Sequence, residues 1–158
     1  YPSLSRPRWG KNMSKFIATL LMLVVLFPCE AIGSRQTVER FIAAFNAKDV
    51  DGMVSLATPT IRWMSVDGDR LSIDAEGAEA LSRAMTGYFS AIPTARSRLR
   101  SSSASGPFVH TVEEASWEAK GETRSQCSLG VYRLDEALIA EVWYFPAFEC
   151  PAVQDKHE

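Results

Sequence analysis

The chain has 158 residues, of which 46% are hydrophobic, and this length and composition are typical of one globular domain. Lysine and arginine number 17 against 19 aspartate and glutamate residues, which gives a formal net charge of -2. This balance excludes the broad positive surface on which nucleic-acid binding depends, so we expect no nucleic acid as a partner.

The first segment predicts export. Residues 16–27 (FIATLLMLVVLF) carry no charge and follow Lys11 and Lys15, as in a signal peptide, and this run is shorter than the about 20 residues that span a bilayer. Met13 is the expected start, with cleavage within residues 29–33. Residues 1–33 are therefore a predicted leader, and the product is expected to be periplasmic or secreted. An uncleaved membrane anchor is the alternative.

The cysteines bear on the same prediction. Cys29 follows the apolar run directly, as a lipid-modified cysteine would, but Pro28 occupies the position where such sites carry a small residue. Cys127 and Cys150 remain after cleavage. An oxidising compartment permits a disulfide between them, and two separate thiols are the alternative.

Three helices are predicted. Apolar residues at intervals of three and four from Thr37 indicate a first helix that ends near Ala47, and Asp49 is a candidate N-cap for a short second helix that ends at Pro59. A third helix is expected over residues 75–91, before Pro93.

Stretches in which apolar and polar residues alternate between turn-forming residues predict strands at residues 60–66, 70–73, 94–105, 108–117, 123–134 and 138–145. These elements predict an α+β domain over residues 34–148 with a polar tail at 149–158. Three helices cannot cover both faces of so much antiparallel sheet, so the sheet should curl around the first helix and enclose a cavity. The apolar outer face favours a homodimer through the sheet, and a monomer is the alternative.

Several segments together carry the pattern of a known family. They are residues 38–53 (VERFIAAFNAKDVDGM), 60–66, the helix after Asp74, and the endings VYRL (131–134) and IAEVWYF (139–145). They resemble the nuclear transport factor 2-like (SnoaL-like) superfamily. The resemblance covers residues 34–147 and implies a cone-like curved sheet wrapped around the N-terminal helices. That superfamily hosts isomerases, cyclases, dehydratases, epoxide hydrolases and binding domains, so the resemblance implies a fold and not a reaction.

The resemblance also bears on ketosteroid isomerase chemistry, which needs a carboxylate base, a tyrosine and a protonated aspartic acid. It places Ser65 near the base position, Phe41 at the tyrosine position and Cys127 near the aspartic acid position. None of these side chains can do the same work, so that activity is disfavoured.

The resemblance implies which strand residues point inward. The expected inward positions are Ile61, Trp63, Ser65, Thr111, Glu113, Ala115, Trp117, Ser125, Cys127, Leu129, Val131, Ile139, Glu141, Trp143 and Phe145. Glu113 and Glu141 are the candidate catalytic residues, because an unpaired carboxylate in an apolar interior can act as a general acid or base. The alternative places them at the rim, solvated or paired with an arginine such as Arg124.

The predicted ligand pocket consists of Phe41, Phe45, Trp63, Ser65, Tyr88, Trp117, Cys127 and Trp143. Tyr132 is a further candidate for its aromatic wall, and an ordinary core role is the alternative for each aromatic residue. Gly130, inside a strand, indicates a bulge or a close backbone approach. His110 has no second ligand at metal-binding spacing, so we expect no metal and no cofactor.

Two functions are consistent with these residues. The first is an exported pocket protein that binds a small apolar or amphipathic molecule. The alternative is a cofactor-free isomerase, cyclase or hydratase that uses a pocket glutamate as general acid or base. A subunit that serves association alone is a third possibility.

Overall fold

The computed structural model describes the backbone of residues 29–151 and the side chains of residues 33–151. The helices in this part of the chain are α1 (Cys29–Ala47), α2 (Val50–Ser55) and α3 (Ala78–Ala91). The strands are β1 (Ala57–Asp67), β2 (Arg70–Glu76), β3 (Arg96–Ser105), β4 (Phe108–Ala119), β5 (Glu122–Asp135) and β6 (Leu138–Tyr144). The predicted leader is outside the described residues, apart from the start of α1.

The strands form one curved six-stranded sheet in the order β2-β1-β6-β5-β4-β3. The predicted α+β class is confirmed. One difference from the predicted antiparallel sheet is that β1 and β6 run parallel. A tight turn joins β6 to β5, with Asp135 opposite Leu138, so the direction of β6 is already fixed where it meets β1.

The helix boundaries differ from prediction at two points. α1 begins at Cys29, before the predicted Thr37, and it passes through the predicted cleavage region. α3 begins at Ala78 because the preceding residues extend β2, where Ala75 pairs with Trp63. Gly77, with a φ of 87°, turns the chain from β2 into α3. None of the helices within residues 29–151 has the length and apolar content that a membrane crossing requires.

The cap of α2 agrees with the prediction, since Asp49 Oδ1 accepts a hydrogen bond from the Gly52 N–H at 2.8 Å. α1 lies across the concave face of the sheet. Its Val38 and Phe41 side chains are almost fully buried there, against Ile61 and Tyr132 from the strands. A cavity remains beside this packing, and Phe41 itself forms part of its wall.

The last described residues are tied to the edge of β5 beyond the end of β6. Cys127 and Cys150 form a disulfide, so the structure contains the first of the two predicted alternatives. Cys127 and Phe148 exchange backbone hydrogen bonds of 2.9 and 2.8 Å. We call residues 145–150 the C-terminal strap. It directly continues β6, which carries part of the candidate site.

Candidate functional site

The cavity between α1, α3 and the concave face of the sheet has a volume of about 220 Å³. It is lined by Phe41, Ile42, Phe45, Trp63, Met85, Tyr88, Ser97, Glu113, Ala115, Ser128 and Tyr144. Pockets for drug-sized ligands measure roughly 300–1,000 Å³. The space therefore suits a molecule of one or two rings, or one end of a larger molecule.

Glu113 is the one formally charged side chain among these lining residues, and it is only 4% exposed. Its Oε1 atom accepts hydrogen bonds from Thr111 Oγ1 at 2.8 Å and from the Tyr132 hydroxyl at 2.7 Å. Its Oε2 atom accepts from the Tyr144 hydroxyl at 2.9 Å and from Ser97 Oγ at 3.3 Å. These hydroxyl groups stabilise a buried carboxylate that has no cationic partner among the described side chains of residues 33–151.

The hydroxyl oxygens of the two tyrosines are also 2.6 Å apart, so either phenol can donate its one proton to the other instead of to Glu113. Burial, followed by the neighbouring Glu113 charge, raises the pKa of both Tyr132 and Tyr144 well above the ordinary value of 10.0. Both phenols therefore stay protonated and remain hydrogen-bond donors. Tyr144 lines the cavity, whereas Tyr132 is fully buried behind Glu113.

Ser97 is held in place from α1. The Asn46 side chain donates to the Ser97 carbonyl oxygen and accepts from the Ser97 N–H, each at 2.8 Å. This pair of hydrogen bonds fixes the start of β3 against the end of α1. The Ser97 hydroxyl is thereby directed at Glu113.

The predicted pocket residues divide into two groups. Phe41, Phe45, Trp63 and Tyr88 line the cavity. Phe41 and Trp63 pack with ring centroids 5.9 Å apart, and so do Phe45 and Tyr88. Burial raises the pKa of Tyr88, so this residue also keeps its proton.

Ser65, Trp117, Cys127 and Trp143, also predicted for the pocket, do not line this cavity. Ser65 lies near the end of β1 and hydrogen-bonds Asp74. Trp117 lies near the end of β4, opposite Arg124. Cys127 is in the disulfide, and Trp143 pairs with Val131 on the outer face.

Glu141 is likewise on the outer face. It lies opposite Arg133 and Arg62 in the sheet and bonds both, with Arg133 Nε 2.6 Å from its Oε2 atom. Burial tends to raise the pKa of Glu141, but the hydrogen bonds from Arg133 and Arg62 outweigh it and lower the pKa. The structure thus corresponds to the arginine-paired alternative, with partners other than Arg124, and does not bring Glu141 to Glu113.

Two features of the sheet explain these differences. The β5–β6 register shifts between Arg133 and Leu134, which moves Glu141 to the opposite face from Ile139. In β5, Ser128 faces inward with Glu113, so Leu129 and Val131 face outward. Alternating apolar residues therefore mark the outer face of β5, contrary to the prediction.

Tyr144 is the main site residue that the prediction missed. It lies within the run 139–145, where the expected inward alternation selects the residues on either side of it. Among residues 33–151, no cluster of three histidine, cysteine, aspartate or glutamate side chains has the arrangement of a metal site.

The family model of the SnoaL-like domain matches residues 38–142. An uncharacterised cystatin-fold protein from Novosphingobium aromaticivorans is 21% identical, with a TM-score of 0.64 over 72% of this chain and 97% of its own. Bal32a, from a soil-derived mobile gene cassette, is 21% identical, with a TM-score of 0.65 over 75% and 92%. A candidate SnoaL-like polyketide cyclase from Jannaschia sp. is 15% identical, with a TM-score of 0.62 over 74% and 87%.

No curated protein sequence matches the chain. At these identities, the solved structures show a shared fold. The family match covers most of the chain and includes the cavity residues Phe41, Trp63 and Glu113. The resemblance predicted from the sequence is confirmed: the chain belongs to the SnoaL-like domain family of the nuclear transport factor 2-like superfamily.

Proposed function

We propose that this chain is a pocket protein that binds a small apolar or amphipathic molecule, with the polar end of the molecule beside Glu113 and Tyr144. One observation carries the proposal: a buried carboxylate and a tyrosine hydroxyl lie together in an otherwise largely aromatic cavity. Burying a carboxylate is costly unless it is hydrogen-bonded. A cavity that keeps one is suited to recognising a polar group on an apolar ligand.

The charge of the cavity restricts the ligand further. Neither lysine nor arginine is among its lining residues, so Glu113 alone sets the formal charge there. In a low-dielectric interior, a second anion close to Glu113 is strongly disfavoured. The charge of Glu113 therefore disfavours an anionic ligand.

A suitable test ligand for the cavity is 2-naphthol, because it has two fused rings, one hydroxyl group and no charge at neutral pH. We expect a saturable heat of binding in isothermal titration calorimetry. Ala115→Phe should fill the cavity and abolish this binding, since Ala115 lines it. Leu129→Phe is the matched control, because Leu129 is 47% exposed on the outer face. Equal binding by both variants would refute the proposal.

A second candidate function is cofactor-free proton transfer, with Glu113 as general base. It is favoured by the direct access of Glu113 and Tyr144 to the cavity. In this reaction Glu113 takes a proton from a carbon next to a carbonyl group, and the electron pair moves onto the carbonyl oxygen. The structural likeness to a candidate polyketide cyclase supports this possibility.

Proton transfer can be measured without knowing the natural substrate. Cyclohexanone and 2-tetralone are incubated with the protein in heavy water, and loss of the proton signals next to the carbonyl is followed by NMR. Glu113→Gln should abolish catalysed exchange and leave binding of 2-naphthol largely intact. Glu141→Gln is the control, because it removes a carboxylate on the other face. If the ketones exchange no faster with the protein than without it, the proton-transfer function is refuted and binding remains as the proposed function.

Export is also part of the proposal. It is supported by the apolar run at residues 16–27 and by the Cys127–Cys150 disulfide, since disulfides persist mainly in oxidising compartments. Expression from Met13 in a bacterium, followed by fractionation and intact mass, tests it. A shortened, oxidised product in the periplasm or medium is expected. A full-length product in the cytoplasm would contradict it.

The outer sheet face supports a homodimer. Leu129, Phe145 and Phe148 are 47%, 37% and 40% exposed there, and exposed apolar side chains grouped on one face are typical of association surfaces. Sedimentation equilibrium should give twice the monomer mass, and Leu129→Glu should shift it toward the monomer. A wild-type monomer at every concentration would exclude this arrangement.

A further inference from the structure

Gly130, in the middle of β5, is surrounded by the candidate site. A Cβ atom at this position would lie 2.6 Å from Thr111 Oγ1, 3.0 Å from Glu113 Oε1 and 3.3 Å from Tyr144 Cε1. The first distance is far shorter than a van der Waals contact. Any side chain at this position would therefore displace groups that contact the Glu113 carboxylate.

The backbone at Gly130 does not require glycine. The described glycines with positive φ are Gly68, Gly77, Gly106 and Gly121, and Gly130 is not among them. Glycine inside a strand weakens it, because it has more conformational freedom to lose and no side chain to pack. Local strand stability therefore favours a larger residue here, and only the space beside the carboxylate favours glycine.

We infer that Gly130 is a positioning residue for Glu113. Its missing side chain leaves the room in which Glu113 Oε1 reaches Thr111 Oγ1 and the Tyr132 hydroxyl. Thr111 Oγ1 lies 3.2 Å from the Gly130 carbonyl oxygen as well, so the Gly130 backbone contacts the same group. Stability of the strand is thus given up for the site. The inference rests on the proposed role of Glu113 in the cavity.

Comparison of two backgrounds tests this inference. In the wild-type background, Gly130→Ala should raise the unfolding equilibrium constant roughly ten- to a hundredfold, as overpacking does. In a Thr111→Ala, Glu113→Ala, Tyr144→Ala background, all three neighbours within 3.4 Å of the added Cβ atom are removed. The same substitution should then lower that constant roughly two- to fivefold, as Gly→Ala does at a compatible site. Urea denaturation measures both effects.

Gly87→Ala is the matched control. Gly87 lies in α3, and a Cβ atom there would meet nothing within 4 Å, so the substitution should stabilise both backgrounds equally. If the Gly130→Ala variant does not fold in the wild-type background, recovery of folding in the second background would equally support the inference. An equal effect of Gly130→Ala in both backgrounds would overturn the inference.

A spectroscopic measurement separates positioning from general destabilisation. In protein labelled with ¹³C at the glutamate carboxyl groups, the Glu113 signal is the one missing in Glu113→Gln. Gly130→Ala should shift this signal, and Gly87→Ala should not. An unmoved signal in a folded Gly130→Ala variant would also overturn the inference.

Binding of 2-naphthol distinguishes failure of this inference from failure of the proposed function. Gly130→Ala could destabilise the wild-type background and stabilise the other, while 2-naphthol does not bind. That result would support the positioning role and count against the proposed ligand. If 2-naphthol binds but Gly130→Ala has the same effect on stability in both backgrounds, the proposed ligand is supported and the positioning role is refuted.

Discussion

At the scale of single residues, the site depends on hydroxyl groups. Each oxygen of Glu113 accepts two hydrogen bonds from Thr111, Tyr132, Tyr144 and Ser97. A carboxylate offers about four lone-pair positions, so these contacts fill its capacity. A ligand can therefore reach Glu113 by replacing the longest of them, the 3.3 Å contact from Ser97.

The raised pKa values of Tyr132 and Tyr144 give an alkaline prediction. A phenol whose folded pKa lies above its unfolded value contributes stability below pH about 10, and that stability is lost as the pH rises further. We expect both tyrosines to ionise only when the protein unfolds. Tyrosinate absorbance, followed with circular dichroism in wild type, Tyr132→Phe and Tyr144→Phe, measures this. Ionisation of either one in the folded protein near its ordinary pKa would contradict it.

Glu114 gives the corresponding acid prediction. Hydrogen bonds from Arg98 and Arg100 lower its pKa from 4.5 to about 2. A lowered folded pKa contributes stability above the unfolded value, and this is lost as the pH falls from 4.5 toward 2. Glu114→Gln should make the dependence of unfolding free energy on pH shallower across that range, by up to about one bound proton.

Glu122→Gln is the control for Glu114, because its side chain is 77% exposed and 3.9 Å from Arg124. It should leave the acid slope close to that of wild type. Identical slopes for Glu114→Gln and wild type would show that the arginine contacts are absent in solution.

At the scale of elements, local patterns predicted most of what the structure contains. The spacing of Val38, Phe41 and Phe45 predicted α1, and the side chain of Asp49 predicted the cap of α2. The shift in β5–β6 register between Arg133 and Leu134 could not be predicted from the sequence, because no residue type in that stretch requires it. It moved Glu141 away from the cavity and brought Tyr144 into it.

The C-terminal strap gives a prediction at this scale. The Cys127–Cys150 disulfide joins residues separated by 23 positions and holds the strap that follows Tyr144. Cys150→Ser should lower the free energy of unfolding by about 2–4 kcal/mol, because the unfolded chain is no longer cross-linked. Urea denaturation with and without dithiothreitol measures this. Reductant should destabilise wild type and leave Cys150→Ser unchanged, and an unaffected wild type would contradict the prediction.

At the scale of the whole molecule, the cavity results from the curvature of the sheet around α1. This much followed from the sequence, because three helices cannot cover so much sheet. Which strand residues face the cavity did not follow, since β5 carries small and polar residues inward. Ser128 and Gly130 leave space there for a ligand and for Glu113. The inward alternation of apolar residues that identifies a filled core fails in a strand that lines a cavity.

The proposed function requires that a small molecule occupy this interior space beside Glu113. The most direct measurement is a set of intermolecular nuclear Overhauser effects between bound 2-naphthol and methyl-labelled protein. We expect contacts to the methyl groups of Ile42 and Met85, which line the cavity. Contacts to Leu129 on the outer face, with none to Ile42 or Met85, would contradict the proposed binding site.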